Sequence, residues 1–501
     1  VAGPPAVSAP HETAFDRRLR AGVILYTIST LLLITGVFMV SGVVVAWIYH
    51  ETEAMRGFLS AVGITLLVGV TGFLAFRRHR NAALLTRDGF LVVVLSWLVG
   101  SAFGALPFVI TGAIPSYTDA YFETISGYTT TGASILPHIE GLPYSVLFWR
   151  SLIHWLGGMG IVVLTVAILP RLGIGGLKLM RTEAPGPTLD KLTPRVTETA
   201  KILWGIYLGL TVLEVAMLLV AGLGWFDALT HTFGTLATGG FSPRNASVGA
   251  YDSAFVDVVV TVFMLLAAIN FSLYFHAFRG EARLLARNTE LRVYLAVFVI
   301  GVVLVTLSVT GSVYGSIGEG VRFAGFQVAS ILTTTGFATA DYDIWPPLAK
   351  GVLVTLMLVG GCAGSTAGGV KVIRLVTLFK QGLNELKYLV HPQGIFTLKI
   401  GDRPVKKDIL YPVAVFFFLY VTLVMITALI VSAAGQDLIT SISTGLATVG
   451  NIGPGFGAIG PSHNYGHYPD PVKWWLSFAM LTGRLEVYSV LVLFTRTFWR
   501  Q

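Results

Sequence analysis

The sequence predicts an all-α integral membrane protein: four helix–pore-helix–helix repeats around a central pore, preceded by two transmembrane helices, about ten spans in all. Three observations carry that prediction. The 501 residues are 54% hydrophobic and only 12% charged, whereas soluble domains carry about 25% charged residues. Runs of roughly 20 apolar residues, the length that crosses a bilayer, recur from end to end. Four apolar regions are interrupted by a short polar run ending in glycine: Thr129-Thr130-Thr131-Gly132, Leu236-Ala237-Thr238-Gly239, Thr333-Thr334-Thr335-Gly336 and Ala447-Thr448-Val449-Gly450. These glycines stand 107 (132 to 239), 97 (239 to 336) and 114 (336 to 450) residues apart. The spacing reads as four copies of one unit about an axis, each lending backbone carbonyls to a central hole. Carbonyl rings of this kind replace the hydration shell of a cation.

Two apolar spans, Val23–Tyr49 and Phe58–Phe76, come first, joined by the acidic His50-Glu51-Thr52-Glu53. Each repeat then has a long apolar span, a shorter amphipathic piece, the glycine run and a second long span. Unit one has Phe90–Ile114, Asp119–Thr129, Gly132 and Val146–Leu169; unit two has Ile202–Leu223, Asp227–Leu236, Gly239 and Phe255–Phe278. Unit three has Val293–Val313, Glu319–Leu332, Gly336 and Leu348 onward to Tyr388; unit four has Leu410–Ala433, Asp437–Ala447, Gly450 and Val472–Phe498. The expected divisions are 1–88 for the N-terminus and leading helices, then 89–180, 181–288, 289–407 and 408–501 for the four repeats.

The net charge of +8 and pI near 9.4 do not point to nucleic acid, because the basic residues sit in alternate loops between spans. One set of loops holds Arg17, Arg18, Arg20, Arg77, Arg78, Arg80, Arg171, Lys178 and Arg181. It continues through Arg279, Arg283, Arg287, Arg292, Lys371, Arg374, Lys380, Lys387, Arg403, Lys406 and Lys407. Lys and Arg accumulate on the cytoplasmic side, so both termini are expected there and the glycine runs open outward. The single cysteine, Cys362, excludes an internal disulfide framework. The first twenty residues lack the long apolar core of a secretory signal.

A short helix that enters from outside and stops at the glycine run directs its carboxyl end at the pore centre, where about half a negative elementary charge favours a cation. Each short helix has an acid near its start, at Asp119, Asp227, Glu319 and Asp437. Such an acid caps free amides or attracts cations to the outer mouth. Glycine matters in the run because its carbonyl can turn inward in conformations that a β-carbon forbids. Irregular backbone at membrane depth is tolerated only where protein buries it or water fills the cavity beside it.

These motifs resemble the filters of the Trk/Ktr/HKT cation transporter superfamily. The similar segments are Ser126-Gly127-Tyr128-Thr129-Thr130-Thr131-Gly132-Ala133-Ser134, Leu236 through Ser242, and Thr333 through Thr339. The fourth run, Ala447-Thr448-Val449-Gly450-Asn451-Ile452-Gly453-Pro454-Gly455, is similar to the TrkH branch in particular. The two leading spans fit that branch, and the resemblance covers nearly the whole chain from Arg20 onward. It implies potassium uptake across the bacterial cytoplasmic (inner) membrane by a homodimer in which each subunit has its own pore. The implied partner is a TrkA-like nucleotide-binding cytoplasmic subunit. The implied potassium-binding residues are Thr130, Thr131 and Gly132; Ala237, Thr238 and Gly239; Thr334, Thr335 and Gly336; and Thr448, Val449, Gly450 and Asn451. Members that pass sodium often carry serine at the first glycine, so Gly132 favours potassium.

Unit three's second span is broken by Gly360-Gly361-Cys362-Ala363-Gly364-Ser365-Thr366-Ala367-Gly368-Gly369. Each interior glycine costs a helix about 1 kcal/mol relative to alanine, so the segment should unwind, unless its small residues serve tight packing. The resemblance makes it an intramembrane loop that gates the pore. Arg484, inside the last span, costs about 2.5–3.5 kcal/mol to insert alone; Glu486 lies on another face of that helix. Arg484 is therefore expected to find pore water and cavity carbonyls and to act as an electrostatic barrier, or else to pair with another span. Glu123, Arg150, His154, Glu214, Asp257 and Asn270 are expected to satisfy neighbouring spans. Gly173-Ile174-Gly175-Gly176 lacks the context of a dinucleotide site, and Asn245-Ala246-Ser247 fits a glycosylation sequon.

No cofactor is expected, with K+ as the transported ion, and no enzymatic site, since no His, Asp and Ser set converges. The alternatives are a sodium-permeable or ion-coupled transporter of the same fold and, more remotely, a polytopic membrane enzyme. The chain has no evident nucleotide-binding domain, so the basic loops Leu172–Arg195 and Lys371–Lys407 are the expected docking surface for a partner or for anionic lipid.

Overall fold

A computed structural model describes residues 19–80, 82, 86–163, 196–401, 403–404 and 407–499. The apolar runs form helices because, away from water, a backbone must satisfy its polar groups internally. Six helices are individually long and apolar enough to cross a membrane, and two bent pairs raise the number to eight among the described residues. Their outward faces are apolar, with Leu307 and Leu429 exposed by 73% and 70%, as a lipid-facing surface requires.

The leading helices, Ala21–Ile48 and Thr52–Phe76, pack along each other. Glu51, in the turn between them, fastens the pair to repeat one. Its carboxylate accepts from the Tyr144 N–H (2.5 Å), the Ser145 N–H (3.1 Å) and the Ser145 hydroxyl (2.7 Å). A carboxylate suits that position because the first amides of a helix lack internal partners.

Repeat one comprises Thr86–Gly104 with Leu106–Ile110, the pore helix Tyr117–Tyr128, and Tyr144–Val163. Repeat two comprises Val196–Val220, the pore helix Trp225–Leu236, and the pair Ala254–Ala267 and Phe271–Phe278. Repeat three has Thr289–Val309, the pore helix Ile317–Leu332, Pro347–Met357 and, after the glycine-rich segment, Val372–Val390. Repeat four has Lys407–Ala433, the pore helix Leu438–Val449, Asp470–Arg484 and Tyr488–Leu491. A small antiparallel pair, Lys399–Ile400 with Arg403–Pro404, lies between repeats three and four.

Two second spans expected to run straight are bent. The chain turns by 94° between Ala267 and Phe271, and by 115° between Arg484 and Tyr488. At the first bend Asn270 starts a new helix, its side chain accepting from the Ser272 N–H at 2.9 Å. At the second, Glu486 and Val487 have φ of 63° and 45°. Neither break contains glycine or proline, so apolar periodicity alone runs through both.

Candidate functional site

All four pore helices end in the same way. The N–H groups of Thr131, Gly239, Thr335 and Ile452 return to the carbonyls of Ser126 (2.9 Å), Gly234 (2.8 Å), Ser330 (2.8 Å) and Ala447 (2.8 Å). The residue before each donor is left-handed: Thr130, Thr238, Thr334 and Asn451 have φ of 51°, 53°, 57° and 56°. This is a helix-terminating turn that satisfies the last carbonyls. One residue after each donor stands a glycine at positive φ: Gly132 (78°), Gly240 (83°), Gly336 (82°) and Gly453 (93°).

That geometry changes the register expected from the sequence in two repeats. Gly239 is the counterpart of Thr131, not of Gly132, and Gly240 takes the glycine position. In repeat four Thr448 and Val449 are the last residues of the pore helix and Gly450 is its C-cap, as Ala237 is in repeat two. The fourth turn is Asn451-Ile452-Gly453. Aligning letters picked the first glycine after each threonine, whereas backbone angle picks the glycine that sits two residues beyond the left-handed position.

The four turns close on one another. A β-carbon on Gly132 would strike the Gly239 carbonyl, one on Gly240 the Thr335 carbonyl, and one on Gly336 the Ile452 carbonyl. One on Gly453 would meet the Thr131 carbonyl at 2.6 Å, which completes the circle. Each glycine thus abuts the residue before its neighbour's glycine, in the order one, two, three, four, one. Among the described residues no donor bonds to the carbonyls of residues 130–132, 238–240, 334–336 or 451–452. The Gly453 carbonyl accepts from the Tyr465 hydroxyl at 2.5 Å. Buried backbone carbonyls are almost always bonded, so a ring of unbonded ones is prepared for something that supplies positive charge.

Some threonine hydroxyls of the ring are engaged by neighbouring side chains, while that of Thr130 has no partner among the described residues. Thr131 Oγ1 pairs with Thr129 Oγ1 (2.8 Å) and accepts from Asn451 Nδ2 (2.9 Å), and Thr335 Oγ1 pairs with Thr333 Oγ1 (2.7 Å). A polar residue nine positions before each ring glycine braces the surroundings: Glu123, His231, Gln327 and Thr444. Glu123 accepts from the Ser134 hydroxyl (3.0 Å) and the Ile135 N–H (2.9 Å), and His231 Nε2 accepts from the Ser242 hydroxyl (3.0 Å). The Gln327 amide, oriented by its neighbours, accepts from the Thr339 N–H (2.7 Å), and Thr444 Oγ1 bonds the Tyr468 hydroxyl (2.8 Å). Sequence reasoning noticed only Glu123 of this set. The common offset from the ring glycine marks it, once the register is known.

Glu123 also forms a buried ion pair with Arg150 at 2.6 Å. Arg150 reaches on to the Ser242 carbonyl (2.9 Å) and lies over the Phe241 ring (3.6 Å), tying repeat one to repeat two. His154 donates from Nδ1 to the Gly127 carbonyl (2.8 Å) and accepts at Nε2 from the Phe241 N–H (3.2 Å). Asp257 pairs with Arg322 at 2.6 Å, and Glu214 is buried beside Thr235. Of the outer acids, Asp119 pairs with Lys473 and Asp227 with Arg244 (2.7 Å), so each carries a local countercharge. Asp437 is an N-cap, accepting from the N–H groups of Ile439 (3.1 Å) and Thr440 (3.3 Å). Hydrogen bonds from the Thr440 side chain, then from these amides, hold its carboxyl below the ordinary range. Asn245 of the sequon is engaged by Glu140 and accepts from the Ile139 N–H (2.9 Å).

The glycine-rich segment is a closed loop. Lys371 N–H returns to the Val359 carbonyl (3.0 Å) and Val372 N–H to the Gly361 carbonyl (3.1 Å). Gly368 donates to Thr334 Oγ1 of the third turn (2.6 Å), and a β-carbon there would crowd the Gly450 carbonyl. The loop therefore touches the ends of pore helices three and four. It also completes the break in repeat two: Cys362 N–H bonds the Ala268 carbonyl (2.9 Å) and Phe271 N–H the Gly364 carbonyl (3.1 Å). Arg484 Nη1 donates to the Thr366 carbonyl (2.6 Å), while Nε and Nη2 have no partner among the described residues. Glu486 pairs instead with Arg374, which lies over the Phe416 ring at 3.9 Å. Gly173-Ile174-Gly175-Gly176, the Leu172–Arg195 loop, and Arg17, Arg18, Arg171, Lys178, Arg181 and Lys406 lie outside the described residues. No group of three metal-ligating side chains occurs among the described residues.

Fold and site together define a polytopic, all-helical membrane protein whose four repeats meet in a ring of backbone turns. The chain belongs to the TrkH family of cation transport proteins, whose family model matches residues 58–500. It is 45% identical over 486 residues to a Trk system potassium uptake protein TrkH of Halomonas elongata, covering 96% of this chain and 99% of that one. It is 42% identical over 474 residues to the protein of that name in Escherichia coli K12, covering 94% and 97%. The crystal structure of the potassium transporter TrkH from Vibrio parahaemolyticus is similar with a TM-score of 0.87 at 38% identity, covering 96% of this chain and 100% of that one.

Proposed function

We propose that this chain carries potassium ions into the cell through the ring of turns. The carrying observation is the ring itself: buried carbonyls with no donor among the described residues, cyclically in contact, at the carboxyl ends of four pore helices. Thr130-Thr131-Gly132, Thr238-Gly239-Gly240, Thr334-Thr335-Gly336 and Asn451-Ile452 supply the oxygens that stand in for water around a dehydrated cation. Four converging helix ends add negative potential from their dipoles. Relatives with 42–45% identity named as potassium uptake proteins support the choice of ion.

The loop from Gly360 to Gly369 is the gate in this reading, lying against the third turn. Arg484 is its companion barrier, a buried cation bonded to the loop at Thr366. The protein works as a homodimer in the bacterial inner membrane with both termini in the cytoplasm. A TrkA-like nucleotide-binding subunit regulates it from the cytoplasmic face. The relatives' description as members of a Trk system supports a protein of more than one component. Rubidium uptake into proteoliposomes, competed with potassium and sodium and repeated across pH, tests the reading. Selective uptake that Gly132→Ser shifts toward sodium is the expected result. Unchanged selectivity in a folded Gly132→Ser protein would remove the role given to the ring, and flux driven only by a sodium or proton gradient would favour a coupled transporter.

A further inference from the structure

Glu290 opens the first helix of repeat three and is buried, with 7% of its surface exposed. One of its oxygens, Oε1, accepts from two backbone amides: Ala363 N–H at 2.7 Å and Ile373 N–H at 3.3 Å. Ala363 lies within the glycine-rich loop, and Ile373 lies in the first turn of the helix that follows it. Other side chains grip single points of the loop: Arg484 at Thr366, Thr334 at Gly368 and Lys371 at Ala367. Glu290 thus ties the loop to the helix that follows it.

The position next to Ile373 adds a connection. Arg374 pairs with Glu486, two residues beyond Arg484, where the last span bends. The helix Val372–Val390 therefore begins between two carboxylates from different repeats, one holding the loop and one adjoining the barrier. Any displacement of that helix must move the Ile373 amide against Glu290. We propose that Glu290 is a positioning residue that keeps the glycine-rich loop across the ion path by tying it and the start of the following helix to one carboxylate oxygen. This rests on the gate reading above.

The loop carries its own probe. Cys362 is the chain's single cysteine, adjoins Ala363, and is 1% exposed. The full-length protein in liposomes is treated with a methanethiosulfonate reagent, and modification of Cys362 is followed by mass spectrometry. Native protein is expected to react slowly. Glu290→Ala is expected to react about tenfold faster or more, the change given by losing the acceptor that holds one state. Glu290→Gln keeps an acceptor oxygen at the same reach and is expected to stay within about threefold of native. Asp257→Asn weakens a buried pair elsewhere and is expected to leave the rate unchanged. A native rate in Glu290→Ala, or equal acceleration in Asp257→Asn, would overturn the proposal. If the alanine variant does not fold, Glu290→Asp replaces it, with the same direction expected from an arm one methylene shorter. Rubidium flux is measured on the same samples: faster labelling with unchanged flux keeps the positioning role and overturns the gate reading.

Discussion

Replacing Gly453 with alanine separates the register of the fold from the register of the letters. Gly453 has φ 93°, a conformation that costs a residue with a β-carbon about 1–3 kcal/mol. The added methyl would lie 2.6 Å from the Thr131 carbonyl oxygen, where ordinary contact begins at 3.4 Å. The shortfall, 3.4 − 2.6 = 0.8 Å, must come from moving a ring carbonyl of repeat one. If the ring gives up that 1–3 kcal/mol of fit to potassium, preference over sodium falls roughly 5- to 150-fold at 1.4 kcal/mol per decade. Gly450→Ala is the companion: Gly450 has φ −76° and ψ −12°, which any residue adopts. Its methyl would meet the Leu446 carbonyl of its own last turn (2.6 Å) and the Ile452 side chain (3.1 Å). That close contact falls on the end of pore helix four and not on a ring carbonyl, so alanine there should cost stability but lose less selectivity than Gly453→Ala. The assay is rubidium uptake into proteoliposomes against potassium and sodium competition, on variants that elute like the native protein. Equal losses in the two variants, or a larger loss in Gly450→Ala, would refute the ring assignment of Gly453.

Arg484→Ala removes both a buried charge and the bond to the Thr366 carbonyl. Cation flux should rise, up to the roughly 10- to 150-fold that 1.5–3 kcal/mol represents; equal or slower flux in liposomes would count against the barrier. Arg150→Met leaves Glu123 buried without its cation and should cost about 3–5 kcal/mol, read as a lowered thermal midpoint. The double variant with Glu123→Gln should recover much of that loss, and no recovery would mean that the pair is not the coupled unit. Asp437→Ala removes an N-cap and should cost about 0.5–2 kcal/mol. Because the folded state holds the Asp437 carboxyl low, its stabilisation is complete above the ordinary carboxylate range and is lost as pH falls through the folded value. The Asp437→Ala deficit should therefore shrink in acid, and a deficit independent of pH would contradict the cap.

Much of this architecture was legible in the chain. The spans announce themselves because a lipid-crossing helix needs an apolar run of definite length, and Asp437 caps its helix as expected, whereas at Asp119 and Glu319 the capping side chain is the serine three residues earlier, Ser116 or Ser316. The loop from Gly360 was legible for the opposite reason, as a run too rich in glycine to stay helical. The bends after Ala267 and Arg484 were not, since their partners lie far off in sequence. Ala268 is bonded by Cys362, and Glu486 by Arg374. The braces were hidden likewise, because Glu123, His231, Gln327 and Thr444 share a position only when the turns are superposed by backbone angle.

Composition and period already dictated a bundle of membrane helices with four interrupted segments, because hydrophobic length and glycine content are local properties of the chain. Which glycines face which carbonyls could not be local. It depends on how four turns, each about a hundred residues from the next, close into one circle, and a shift of a single residue, as between Gly239 and Gly240, changes the oxygen presented. Contact between segments distant in sequence settles that register, and with it the chemistry of the ring.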